Sequence, residues 1–143
     1  MHIKQLLTLS VTSLIVASTT FAAQSPEASK AMSQIRSDYP DLMTVNRSGQ
    51  IHKILHKELS TGRTPIDSAR NFIDTFSTAL DVDSKEFIER GPFPNQQTEL
   101  ELMYNPETGN HKFTGVYYMQ TADGLPVYGS RLMVLARNIT NYP

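Results

Sequence analysis

The sequence predicts an α+β fold in which one amphipathic helix packs on an antiparallel β-sheet. Apolar residues recur at helical spacing between positions 64 and 80, and such a stripe must be covered by another layer of structure. Three later segments, at 99–104, 111–120 and 127–135, have the alternating, β-branched or aromatic composition of strands. Turn residues separate these segments, so neighbouring strands are expected to run antiparallel.

Residues 1–23 are interpreted as a signal peptide. Lys4 provides a basic start, and Ala22 and Ala23 provide a small-residue cleavage site. The apolar stretch between them is shorter than the roughly 20 residues that cross a membrane. Cleavage leaves a chain of about 120 residues, enough for one domain. We therefore expect a secreted or periplasmic protein that is not attached to a membrane after cleavage.

Composition limits the classes of function. The 143 residues include no cysteine, which excludes disulfide and thiolate chemistry. The formal net charge is −1 at pH 7, and removal of Lys4 makes it more negative by one. A nucleic-acid partner normally requires a basic face, so we expect none. No phosphate-binding loop or nucleophile motif is present, and we expect no cofactor.

Residues 24–59 are predicted to contain a leader helix and the first strands. Ser25 can cap a helix whose first residue is Pro26. The helix is expected to end at Tyr39, because the residue before a proline is disfavoured in the helical conformation. Its apolar stripe is short, so we expect a weakly anchored leader.

Two strands are predicted next, at 42–47 and 51–59, although the pattern of the second also fits a helix. Within it, His52 and His56 are four residues apart, a spacing that on a helix could bind zinc. A zinc peptidase of this type needs glutamate after the first histidine, and Lys53 stands there. On a strand the two rings would lie about 13 Å apart. We expect no metal site and no catalytic activity of this chain alone.

The main helix is predicted from Pro65 to Leu80. Thr64 is a suitable N-cap, and Asp67 adds negative charge to the first turn, where the helix dipole favours it. The apolar stripe consists of Ile66, Ala69, Phe72, Ile73, Phe76, Ala79 and Leu80. Burial of this stripe predicts that truncation of either phenylalanine destabilises the domain.

The remaining chain is predicted to form an antiparallel meander. A helical turn at 83–89 and a rigid connection at 91–95 precede the strand at 99–104. Residues 105–110 carry a strong turn signal, and the strand at 111–120 then returns.

A hairpin with an unusual turn completes the meander. Gly124 accepts the positive φ that a tight turn requires. Because proline cannot donate a hydrogen bond, the returning strand is expected to begin at or just after Pro126. Its edge is expected to be able to pair with an extended segment of another chain.

Gln120, followed by Gly124-Leu-Pro-Val-Tyr-Gly129, resembles the motif of the fungalysin/thermolysin-type propeptide (FTP) domain, which belongs to secreted zinc metallopeptidase precursors. The segment 69–82 is similar to the helix that precedes the sheet in that family, with Asp81 where the family often has glycine. The resemblance covers roughly residues 60–137, and we assign 60–143 to an FTP-like domain.

The resemblance implies a cystatin-like α+β domain that acts as intramolecular chaperone and inhibitor of a thermolysin-like zinc metallopeptidase, in cis or in trans. In the family a second propeptide module and the catalytic domain follow, so this chain is expected to be part of a longer precursor or a stand-alone inhibitor. The candidate interaction residues are Gln120, Gly124, Leu125, Pro126, Val127, Tyr128 and Gly129. Two alternatives remain: a stand-alone module that binds a peptide or polysaccharide outside the cytoplasm, and an enzyme whose catalytic part lies beyond Pro143.

Overall fold

The computed structural model describes residues 24–47, 50–93, 95–140 and 142–143, and the predicted signal peptide lies outside them. The predicted α+β fold, with a helix packed on an antiparallel sheet, is confirmed. Two short 3₁₀ turns, Thr78–Leu80 and Ser84–Glu86, follow the second helix. The helices are α1 (Pro26–Asp38) and α2 (Pro65–Phe76), and the strands are β1 (Met43–Arg47), β2 (Gln50–Leu55), β3 (Phe87–Glu89), β4 (Glu99–Asn105), β5 (Asn110–Ala122) and β6 (Leu125–Arg137).

The larger sheet is organised around β5. On one side β5 pairs with β4 through residues 110–116 and with β3 through residues 118–120. On its other side β5 pairs with β6, and all these pairings are antiparallel. β1 and β2 form a separate antiparallel pair. Only β5 is therefore paired on both sides within the described residues.

Local sequence explains why α2 begins where it does. The hydroxyl of Thr64 accepts a hydrogen bond from the backbone N–H of Asp67, at 3.1 Å, and Pro65 fills the first helical position. Phe72, Ile73 and Phe76 are buried against the sheet residues Val116 and Tyr118, as the apolar stripe predicts. Arg70 also takes part in this packing, since its guanidinium lies 5.1 Å from the centre of the Tyr118 ring.

The expectation that α1 is weakly anchored is wrong. Met32 and Ile35 are buried in the same core as the residues of α2. At the start of α1, the backbone N–H and the hydroxyl of Ser25 both donate to the Asp81 carboxylate, at 3.0 and 2.6 Å. These hydrogen bonds hold the pKa of Asp81 below its usual value, because they stabilise the charged form. α1 is thus fixed to the turn that follows α2.

Asp81→Asn is expected to loosen the docking of α1. An aspartate whose pKa is lowered in the folded state contributes stability above its unfolded pKa and loses it as pH falls through the folded value. The protection factors of the α1 amides against hydrogen exchange should therefore fall below pH 4 in the wild type, and should already be lower near neutral pH in the variant. Asp74→Asn, a change at an exposed carboxylate of α2, serves as the control. Equal exchange in all three proteins at neutral pH would contradict the prediction.

Three segments differ most from the predicted elements. The helix predicted to end at Leu80 ends at Phe76, and Thr78–Leu80 forms a separate 3₁₀ turn. The helical turn expected over 83–89 ends at Glu86, and Phe87–Glu89 forms β3 instead, because Phe87 is buried and its backbone pairs with β5. The strand expected over 51–59 ends at Leu55, where its pairing with Met43 at the start of β1 ends.

Candidate functional site

The hairpin that joins β5 to β6 turns on two residues, Asp123 and Gly124. Both have positive φ angles, 51° and 78°, as the type I′ turns of tight hairpins require. The returning strand begins at Leu125, which pairs with Ala122, one residue earlier than expected. Pro126 pairs with Thr121, the second pair from the turn. In this pair the backbone groups of both residues point away from the other strand, so proline, which has no N–H, costs no hydrogen bond between β5 and β6.

A large bulge follows the turn. Between the pairs Thr121–Pro126 and Met119–Arg131, the single residue Gln120 of β5 faces the segment 127–130 of β6. Gly129 lies in the left-handed region, with φ of 77°, and allows the chain to turn back towards β5. The Ser130 hydroxyl donates to the Val127 carbonyl oxygen at 2.7 Å and closes the bulge. We call residues 123–130 the hairpin protrusion.

The hairpin protrusion presents apolar side chains to solvent. Tyr128 is fully exposed, and the side chain of Leu125 is 71% exposed. Val127 is half-buried. A tyrosine held on a shaped loop offers a partner a large contact area with little loss of side-chain entropy, which is typical of recognition surfaces.

Gln120 anchors the base of the hairpin protrusion and does not form part of its exposed surface. Its side-chain amide donates to the Glu86 carboxylate at 3.3 Å, and its backbone carbonyl oxygen lies 3.3 Å from the Ser130 hydroxyl, which donates over a shorter distance to Val127. The neighbouring Thr121 hydroxyl donates to the backbone oxygen of Glu86 at 3.0 Å. Glu86 and Ser130 were not identified from the sequence, and Glu86 lies 34 positions from Gln120, beyond the reach of any local pattern.

The structure separates the two histidines of the candidate metal site. His52 lies on β2, so the helical alternative for this segment is wrong. His56 lies beyond the end of β2, where its ring packs edge-on against Tyr39 at 5.1 Å and its Nδ1 accepts from the Glu58 N–H. Among the described residues no three histidine or acidic side chains are grouped as metal ligands.

Two acidic residues of the sheet region have different surroundings. The Oε2 atom of Glu101 lies 3.1 Å from Nδ1 of His111, and Asp123 lies in the hairpin turn. Over the described residues, no helix combines the length and apolar character needed to cross a membrane. No protein-family model, curated protein or solved structure matches this chain.

Proposed function

We propose that this chain is an exported, non-catalytic domain of propeptide type that binds a thermolysin-like zinc metallopeptidase, assists its folding and inhibits it. The partner is the peptidase catalytic domain, in the same polypeptide or in a separate one. The observation that carries the proposal is the hairpin protrusion, where the residues of the family motif hold Leu125 and Tyr128 in solvent. Such a surface suits recognition by shape and requires no reactive group.

The conformation of Asp81 offers further support. This residue departs from the glycine that the family often has, and its φ of 63° is a left-handed value that glycine adopts without strain. A family glycine and this aspartate would therefore serve the same turn after the helix. Asp81 also makes contacts that glycine cannot make, since its carboxylate accepts the hydrogen bonds from Ser25.

The test is addition of the purified chain, from Gln24 onward, to the thermolysin-like peptidase encoded nearest to its own coding sequence. We expect micromolar chain to inhibit the active peptidase and to raise the yield of active enzyme after refolding from denaturant. If neither effect is seen, the propeptide proposal fails.

Variants of the hairpin protrusion should separate recognition from folding. Tyr128→Ala and Leu125→Ser are expected to weaken inhibition by about tenfold or more and to leave the unfolding midpoint nearly unchanged, because both side chains are exposed. Gly124→Val should damage both folding and inhibition, since a β-branched residue is strained at a φ of 78°. Tyr104→Ala, at an exposed tyrosine outside the protrusion, is the matched control and should inhibit like the wild type. Equal inhibition by Tyr128→Ala and the wild type would remove the protrusion from the proposed interface.

A second candidate function is a module that binds extended peptides, with no relation to a peptidase. One observation favours it: the side of β6 that faces away from β5 is unpaired in the described part of the chain. This edge and the hairpin protrusion can be tested independently.

A further inference from the structure

The outer edge of β6 carries unpaired backbone groups at a few defined positions. The Asn138 N–H donates to Lys112 of β5, whereas the Arg137 N–H donates to Pro143 on the opposite side, at 2.8 Å. Backbone groups of successive residues point to alternate sides of a strand. Arg131, Met133 and Leu135 therefore direct their N–H and C=O groups away from β5. Within the described residues, no other strand pairs with them.

Both ends of this edge are closed. The bulge at 127–130 interrupts the regular strand conformation, which resumes only at Arg131. At the other end, the Pro143 oxygen occupies the N–H of Arg137. We call the open stretch from Arg131 to Leu135 the edge slot. Its length suits one short extended segment.

Next to the edge slot, the sheet face that points away from α2 is apolar. Val134 of β6 and Val116 of β5 pack into the core, so the side chains that alternate with them point outward. Gly115 alternates with Val116 along β5 and therefore faces outward. A methyl group added at Gly115 would lie 3.2 Å from Sδ of Met133, so Met133 lies on the same outer face. The apolar residues that these registers place on the outer face are Ile88, Leu100, Leu102, Phe113, Tyr117, Met119, Met133 and Leu135.

Where the outer face borders the edge slot, its charged side chains are basic. Arg131 and Arg137 are exposed, alternate with the core-facing residues of β6, and lie about 20 Å apart along the strand. The Arg131 guanidinium stacks over the Phe93 ring at 5.7 Å, and neither arginine joins the ion pairs formed among the described residues. Glu99 pairs with Val116 and therefore belongs to the opposite face of the sheet.

We propose that the edge slot binds an extended peptide segment that adds to β6 as an antiparallel strand opposite residues 131–135, with apolar side chains beside Met133 and Leu135 and a carboxylate beside Arg131. A second carboxylate, on a peptide residue beyond the paired stretch, would reach the Arg137 guanidinium with its side chain alone. Backbone hydrogen bonds to the edge would supply affinity, and the flanking arginines would supply the preference for acidic ends. A second copy of this chain fits less well, because pairing β6 with β6 would bring four arginines onto one face without a carboxylate. This proposal rests on the second candidate function, whose ligand it specifies, and does not depend on the peptidase partner proposed above.

The test uses the capped heptapeptide Glu-Thr-Val-Thr-Val-Thr-Glu, whose glutamates match the spacing of the two arginines. Titration followed by nuclear magnetic resonance should show saturable binding, with the largest amide shifts at 131, 133 and 135. The analogue with lysine in place of both glutamates should bind at least about tenfold more weakly. The double variant Arg131→Glu with Arg137→Glu should reverse that preference.

Backbone pairing is tested separately from charge. Met133→Pro removes one N–H of the edge slot without removing a hydrogen bond to β5, and should weaken binding at least about tenfold, whereas Met133→Ala should change it less than about threefold. If the proline variant does not fold, methylation of the peptide's valine amides, which face β6, should abolish binding, and methylation of its threonine amides should not. Absence of saturable binding, or equal binding of the glutamate and lysine peptides, would overturn the proposal. So would a dimer in sedimentation that Met133→Pro dissociates, because the occupant would then be a second copy.

Discussion

Phe76→Ala is expected to lower the free energy of unfolding by about 3–5 kcal/mol, a large part of the stability of a domain this size. Phe76 is 0% exposed, and its ring stacks on Phe72 with the centroids 4.6 Å apart. The Tyr39 ring, just beyond α1, lies 6.1 Å from the ring of Phe76. Truncation would therefore leave a cavity in the core, and the surrounding side chains can only partly fill it.

Urea denaturation measures this loss, and Phe93→Ala is the matched control. Phe93 has the same side chain but is 59% exposed, so its truncation should cost less than about 1 kcal/mol. Phe72→Ala should resemble Phe76→Ala, because Phe72 is also buried in the stripe. Similar unfolding midpoints for Phe76→Ala and Phe93→Ala would show that the face of α2 that packs on the sheet has been identified wrongly.

The second large effect is expected at alkaline pH and comes from Tyr118. This residue is 1% exposed, and its hydroxyl has no hydrogen-bond partner among the described residues. Burial raises its pKa to about 12, although the nearby Arg70 acts in the opposite direction. The unfolded tyrosine ionises near pH 10, so the contribution of Tyr118 to stability is complete below pH 10 and is lost as pH rises to about 12. The loss should reach roughly 2–3 kcal/mol.

Tyr118→Phe isolates this contribution. The variant keeps the ring and removes the ionisable group, so its stability should fall less than that of the wild type between pH 9 and pH 12. At neutral pH it should be as stable as the wild type or slightly more stable, because it removes a buried hydroxyl that has no partner. Other groups that titrate at high pH are common to both proteins. Parallel stability curves for the two proteins would contradict the assignment.

Features encoded by neighbouring residues could be predicted from the sequence. The start of α2 follows from Thr64 and Pro65, and its buried face follows from the spacing of its apolar residues. The turn at Asp123 and Gly124 follows from glycine chemistry, since Gly124 requires no strain at positive φ. β3 could not be predicted in this way, because three residues carry little pattern and Phe87–Glu89 is a strand only when β5 lies beside it.

The residues of the candidate site were proposed from the family motif, and their geometry could not be predicted from the sequence. The motif identifies Gln120 and Gly124 to Gly129, but the shape of the protrusion depends on a register shift between β5 and β6 that no single strand determines. The same shift separates Gln120, which holds the base, from Tyr128, which is exposed. The edge slot depends on which side of β6 remains unpaired, and that is a property of the whole sheet.

The link between Ser25 and Asp81 affects the order in which the chain can fold. These residues are 56 positions apart, and Gln24 likewise donates to the Ala79 carbonyl oxygen, 55 positions away. A helix of 13 residues such as α1 is marginal in water by itself. Because synthesis proceeds from the amino terminus, α1 emerges from the ribosome well before the segment that fixes it. We therefore expect α1 to become stable only after Asp81 has been synthesised. Contacts between residues so far apart in the sequence also slow folding.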